Sequence, residues 1–217
     1  MTDTKFNKQY FFSSPVWAGH FPEFLKQMQK NADRYLKLSS KEYKIKVKNR
    51  NDFIGVDIQD FGMSNHSGSF YLDNKSKPFI DFCGQQSFNF LEQSGFNLKD
   101  HKLYFTEMWV QEFSKKGGGY HDTHVHWNQH VSGFYFLKCS NKTSFPQFHD
   151  PRPGAEMTKL PLKNGNQITF GTSIVSFTSI KPGDMIIFPG YLPHQFVVDP
   201  GIEPFRFIHW NAQVIKI

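Results

Sequence analysis

The pattern of apolar and polar positions changes near residue 100. Before it, apolar residues recur twice at helical spacing. In "FPEFLKQMQKNADRYLKL", residues 21–38, Phe24, Leu25, Met28, Tyr35 and Leu36 fall on one side of a helix with Pro22 near its start. In "KPFIDFCGQQSFNFLEQSGFN", residues 77–97, Phe79, Ile80, Phe82, Phe90 and Leu91 do the same, and Gly95 supplies a C-cap. Between and before these helices the signals are shorter. "KQYFFSSPVWAGHF" (8–21) reads as a short strand closed by Pro15 and a turn. "KEYKIKVKNR" (41–50) alternates Lys with apolar residues, as an exposed edge strand or a solvated face would. "SNHSGS" (64–69) reads as a polar loop.

After residue 101 the chain breaks into short apolar or alternating runs: "KLYFTEMWVQEF", "VSGFYFLKC", "SFPQFHD", "SIVSFTSI", "GDMIIFPG", "HQFVVD" and "PFRFIHWNAQVI". Gly- and Pro-rich segments such as "KKGGG", "DPRPG", "KNGN", "KPGD" and "DPGIEP" separate them. Many short strands joined by such turns predict an antiparallel sandwich or barrel. The expectation is a mainly β fold with flanking helices, in which two N-terminal helices buttress a β-barrel-like half. We take residues 1–217 as a single domain, with 1–100 a mixed helical and strand support region and 101–217 the β core.

Composition adds weight to the β half, because 25 of the 217 residues are Phe and aromatic side chains favour strands and large cores. The net charge of +6 raises an anion or nucleic-acid hypothesis. The basic residues are scattered and follow no recognition motif, which argues against nucleic acid. Cys83 and Cys139 are the two cysteines, far apart and outside any CxxC pattern, so a reducing compartment is expected and a disulfide scaffold or zinc ribbon is not. No apolar run approaches the roughly 18 residues that span a bilayer, and "MTDTKFNKQYFF" lacks the apolar segment of a secretory signal. A cytoplasmic protein is expected.

Chemistry concentrates in "GGGYHDTHVHWNQHVSGFYF", residues 117–136, which holds four of the ten histidines. His124 and His126 share a face if the segment is a strand, so both imidazoles can meet one ion. His194, which follows the turn and buried run of "KPGDMIIFPGYLP", can supply a third ligand from a neighbouring strand. Three protein ligands on one side leave coordination positions open, which suits metal-assisted oxygen chemistry better than structural zinc. Arg206 sits on an otherwise apolar run, "EPFRFIHW". If that strand points inward, a bidentate grip on a carboxylate ligand explains it. An outward Arg in an ion pair is the other reading.

Four stretches together, "GGYHDTHVHWNQHVSGFYFL", "FHDPRPG", "KPGDMIIFPGYLPHQF" and the arginine of "EPFRFIHWN", resemble the Fe(II)/2-oxoglutarate-dependent oxygenase superfamily. They look closest to its prolyl-hydroxylase-like branch, with members in phages and marine bacteria. For a phage-encoded member, the compartment would be the host cytoplasm. The resemblance covers roughly the C-terminal half. It implies a double-stranded β-helix with iron at its open end, held by His124, His126 and His194, and Arg206 on the distal carboxylate of 2-oxoglutarate. It implies a dioxygenase that hydroxylates a C–H bond, using O2 and 2-oxoglutarate and releasing succinate and CO2, with ascorbate as a reductant. The metal ligands and Arg206 are then the catalytic set.

One departure from that pattern concerns charge. The usual second ligand is a carboxylate, and the matching residue here is His126. Three neutral imidazoles cancel none of the metal's charge. Asp122 shares strand parity with residues 124 and 126 and is the alternative ligand, or a partner that orients an imidazole. On a regular strand His121 faces away, and His130 falls in a loop past Trp127. Gln111, on one face with Trp109, is a candidate hydrogen-bond partner of the co-substrate, and Tyr135 or Ser132 of its distal carboxylate. Where relatives often carry two successive tyrosines, this chain has Tyr135-Phe136. Asp150 and Arg152 read as a turn-stabilising pair, and Asn211 as structural.

Two other readings remain open at this level. A cupin-type metalloprotein, binding module or dioxygenase/isomerase, would ignore 2-oxoglutarate. Gly118 to His126 fits the first cupin motif, but the glutamate expected after it is missing and Val198 stands where an asparagine is expected. A β-sandwich whose histidines hold nothing is the third. The primary substrate, peptidyl or small-molecule, is not written in the sequence.

Overall fold

Ten strands and two α-helices realise this pattern in the computed structural model, which describes residues 9, 11–152, 154, 160–162, 164, 165 and 167–217. The strands are β1 (Trp17–His20), β2 (Ser64–His66), β3 (His101–Phe113), β4 (His121–His124), β5 (Val131–Lys138), β6 (Pro146–His149), β7 (Ile174–Ser176), β8 (Asp184–Pro189), β9 (His194–Phe196) and β10 (Arg206–Lys216). They form a six-stranded antiparallel sheet, β1-β8-β5-β10-β3-β2, and a four-stranded one, β4-β9-β6-β7. From β3 onward the chain passes back and forth between the sheets, with β3, β5, β8 and β10 in the larger and β4, β6, β7 and β9 in the smaller. That winding is the double-stranded β-helix, or jelly roll. The two sheets stay open towards each other.

Alternation along the large sheet divides its side chains between two cores. Met108, Val110, Val131, Tyr135, Leu137, Met185, Ile187, Ile208, Trp210 and Ala212 face the helices. Phe113, Phe134, Phe136, Ile186, Phe188, Phe205 and Phe207 face the small sheet and meet Phe148 and Phe196 there. The abundant phenylalanine thus fills the interior of the roll. The helix-side core needs one glycine. The indole of Trp210 lies where a Cβ on Gly133 would stand, and its Nε1 reaches Ser87 Oγ at 3.1 Å.

Helix α1 (Leu25–Ile54) buries Met28, Asn31, Ala32, Tyr35 and Leu36 and ends at Gly55 in the left-handed region. Helix α2 (Lys77–Gln93) has Pro78 in its first turn and buries Phe79, Ile80, Cys83, Ser87, Phe90 and Leu91. Gly95, at φ 99°, follows its end as the sequence predicts. Three local expectations are corrected. Residues 41–50 continue α1 as a solvated helical face and are not an edge strand, because Lys, Glu and Arg favour helix and Glu42–Lys46 and Lys48–Asp52 pair at i,i+4. The first strand follows Pro15 and does not precede it. Lys8 and Tyr10 of that stretch lie outside the described residues, as do Pro153, Lys163 and Asn166 of the expected turns. "SNHSGS" begins as β2, an edge strand on β3.

Candidate metal centre

β4 and β9 pair with His124 opposite His194, and this register brings the site together. Among the described residues, His124, His126 and His194 each offer a ring nitrogen within 4.8 Å of the others. The rings of His124 and His194 are 4.4 Å apart and those of His126 and His194 5.0 Å apart. Nε2 of His126 and Nε2 of His194 stand at 3.3 Å. Two nitrogens bound about 2.1 Å from one ion are separated by roughly that amount, so the donor set fits a transition metal. His126 lies two residues past the end of β4, so it reaches the cluster from the turn and not along a continuous strand.

Hydrogen bonds fix which nitrogen each imidazole presents. Nδ1 of His194 lies 2.9 Å from the Leu192 carbonyl, and Nδ1 of His124 lies 2.7 Å from the Asp122 carbonyl. A carbonyl only accepts, so both Nδ1 atoms carry the proton and both Nε2 atoms offer a lone pair. His126 differs. Asn211 places Nδ2 2.6 Å from Glu107 Oε1 and 3.1 Å from His126 Nδ1, while Ser132 Oγ donates to its Oδ1. A carboxylate accepts only, so the amide's donor end faces Glu107, and its second hydrogen faces His126 Nδ1. That nitrogen therefore accepts, and the His126 proton sits on Nε2, directed at His194. Burial holds His126 and His194 down to about 3, so both are neutral at pH 7.

The predicted residues sort by the face on which they lie. Ser132 and Gln111 point into the roll. Ser132 holds Asn211, and Gln111 donates to Ser64 Oγ at 3.2 Å. Tyr135 points the other way. Its ring packs on Phe79 of α2 and its hydroxyl donates to the Phe21 carbonyl at 2.8 Å, so it does not reach the histidines. Arg206 is the larger correction. It lies on the helix face of β10 with Ile208 and Trp210, is 5% exposed, and donates from Nε to Glu112 at 2.7 Å and from Nη1 to Asp33 of α1 at 2.6 Å. A buried guanidinium needs carboxylate partners, and those it has are on the side away from the clustered histidines.

Asp122 is corrected as well. It contributes its main-chain carbonyl to His124, its side chain is exposed, and its carboxylate is not in the histidine cluster. His121 does not face away. Its ring lies 4.5 Å from that of His124, because the β4–β9 register slips between residues 121 and 124. Burial, with His124 and His66 nearby, lowers it to about 4. His121, Asp122 and His124 join Tyr120 and Gly62 around a cavity of about 380 Å³ beside the cluster. His130 accepts from Val214 N at 2.9 Å, away from the site. Asp150 and Arg152 form the expected turn pair, with Arg152 Nη2 donating to Asp150 Oδ2 at 2.7 Å.

Sequence reasoning missed three inner-face residues. Asn211, read as structural, orients His126, and Glu107 orients Asn211. His209 is 2% exposed and its ring lies 4.7 Å from that of His126. Both of its nitrogens are buried without a partner, as is Nε1 of its neighbour Trp109. Each such orphan costs about 1–3 kcal/mol. The signal was present: residues 207, 209 and 211 share the inner face once Arg206 and Trp210 are known to face the helices.

No curated protein matches the chain significantly. Among solved structures, a prolyl-4-hydroxylase from Pseudomonas putida is similar over 92% of both chains, at 11% identity and a TM-score of 0.50; this likeness shows the fold. A 2OG-Fe(II) oxygenase family oxidoreductase from Burkholderia pseudomallei matches 65% of this chain at 9% identity and a TM-score of 0.46. The chain spans 58% of that protein's length. A prolyl hydroxylase from Trichoplax adhaerens, solved with a hypoxia-inducible-factor peptide, matches 72% of this chain and 66% of its own at 11% identity and a TM-score of 0.43. Residues 107–202, which hold the three clustered histidines and make up less than half of the chain, match the family described as "Putative 2OG-Fe(II) oxygenase".

Proposed function

We propose that residues 1–217 act as a single-domain Fe(II)- and 2-oxoglutarate-dependent dioxygenase that hydroxylates a C–H bond of a peptidyl or small-molecule substrate. The observation that carries this reading is the convergence of His124, His126 and His194 inside the segment that matches the family. Iron with 2-oxoglutarate and O2 supplies the chemistry, one oxygen atom going to the substrate and the other to succinate as CO2 leaves. The protein's part is placement and exclusion. His124 and His194 present Nε2 lone pairs with their Nδ1 protons held on main-chain carbonyls, the arrangement that strengthens an imidazole as a ligand. Phe134, Phe148 and Phe188 pack on His194 and keep water from its inner side. The orphaned nitrogens of His209 and Trp109 are groups that a polar co-substrate would satisfy. The two cysteines are free and no helix among the described residues is long and apolar enough to cross a membrane, which supports a cytoplasmic placement.

Anaerobic reconstitution with Fe(II) tests the proposal. One bound metal per chain and succinate formed from 2-oxoglutarate in air are expected, and His194→Ala should lose both. A chain that holds no metal after chelation and reconstitution refutes it. Because Arg206 is turned from the site, a cupin-type metalloprotein that does not use 2-oxoglutarate is the second reading. It predicts that 2-oxoglutarate leaves the melting temperature of the metal-loaded protein unchanged, whereas an oxygenase is stabilised by it.

A further inference from the structure

With Arg206 committed to Glu112 and Asp33, the distal carboxylate of a keto acid needs another partner. On the inner face of β10 and β3, most hydrogen-bonding capacity is already used. Asn211 is saturated by Ser132, Glu107 and His126. Gln111 has its donor on Ser64 Oγ. Two adjacent groups keep unused capacity. His209 and Trp109 stand opposite each other in the β10–β3 register, with rings 4.6 Å apart. Both nitrogens of His209 and Nε1 of Trp109 are buried and unpartnered.

Indole nitrogen only donates, and a neutral imidazole always has one N–H to give. A buried donor without an acceptor is rare in a folded protein, and two side by side next to a metal-ligating cluster point to an acceptor that arrives from outside. His209 touches the ring of His126 at 4.7 Å and that of Phe134 at 5.0 Å. A five-carbon diacid chelating an ion at His126 has the length to reach it. The phenylalanines deeper in the roll offer it nothing polar.

We infer that His209 and Trp109 Nε1 bind the distal carboxylate of the 2-oxoacid co-substrate, in the role the sequence assigned to Arg206. This rests on the proposed oxygenase reading. The anchor would be a pair of neutral donors in place of a guanidinium, so discrimination comes from position and desolvation more than from charge.

The test is calorimetric titration of 2-oxoglutarate, and separately of 2-oxobutyrate, into the Mn(II)-loaded protein without oxygen. 2-Oxobutyrate keeps the chelating keto acid and lacks the distal carboxylate. His209→Phe and Trp109→Phe, each checked for fold by circular dichroism and for Mn(II) affinity, should weaken 2-oxoglutarate by roughly tenfold or more and leave 2-oxobutyrate unchanged. Arg206→Gln, in whatever fraction folds, should leave the ratio of the two affinities as in the wild type. Equal weakening of both acids by His209→Phe, unchanged 2-oxoglutarate affinity in both Phe variants, or selective loss in Arg206→Gln overturns the inference while the oxygenase reading stands. A wild-type protein that holds Mn(II) and binds neither acid overturns the oxygenase reading and the inference with it.

Discussion

β10 presents two faces that alternate along one strand, and they obey different rules. On the helix face Arg206, Ile208, Trp210 and Ala212 are buried, and every polar group among them is satisfied: Arg206 by Glu112 and Asp33, Trp210 Nε1 by Ser87. On the inner face Phe207, His209 and Asn211 are equally buried, yet His209 is left with no partner at all. Both faces exclude water, so burial does not separate them. Saturation does. The helix face is built for stability, and the inner face carries an unpaid desolvation cost that a ligand can offset.

Acid should break the inner face first, and this is the largest effect expected. Burial holds His126 and His194 near 3, and His209 well below its ordinary value, through desolvation and the neighbouring imidazoles. Folded values below an unfolded value near 6.5 mean that the unfolded chain binds more protons at any pH between them. Stability is therefore fully present above pH 6.5 and is lost as pH falls. At pH 4.5, His126 and His194 together would cost about 5 kcal/mol. Urea denaturation at pH 7.5 and 4.5 measures this, and a flat profile would mean the imidazoles are solvated. The helix face breaks by packing instead. Trp210→Ala should cost about 3–5 kcal/mol and leave metal affinity in the folded protein unchanged, which titration of the variant would check.

Legibility in the sequence followed the same division. Strand positions after residue 101 were readable, because alternation and Gly/Pro turns are local signals. The pairing of His124, His126 and His194 was also readable, since the chemistry of the side chains limits what they can be for. The facing of Arg206 was not. One residue of register reverses a strand, and nothing in "EPFRFIHW" says which parity meets the helices. That choice is made elsewhere, by Gly133 leaving room for Trp210 and by Asp33 on α1 waiting for a cation. His121 escaped for a related reason, because the parity argument assumes a regular strand and β4 slips. The extent of α1 was misread where Lys and apolar residues alternate, a pattern that charge pairs along a helix also produce.

Within the inner face, Asn211 separates His126 from the other two imidazoles. It offers a donor where a metal-bound histidine needs an acceptor for its Nδ1 proton. Asn211→Asp supplies that acceptor and adds a negative charge, so divalent metal should bind about tenfold tighter. The metal-free variant should melt lower, because the new carboxylate faces Glu107. Unchanged or weaker metal binding would show that Asn211 does not set the protonation of His126.

The smallest effect belongs to Asp33, and it tests whether the two faces are independent. Arg206 has two carboxylate partners in unlike settings: the side chain of Glu112 is 18% exposed and that of Asp33 66%. An exposed partner is screened by water and holds the guanidinium weakly, so Asp33→Asn should cost at most about 1 kcal/mol. Glu112 keeps Arg206 on the helix face in that variant, and 2-oxoglutarate affinity should not move. If Asp33→Asn instead changes the affinity for the co-substrate, the guanidinium exchanges between faces, and the separation drawn along β10 fails at its first residue.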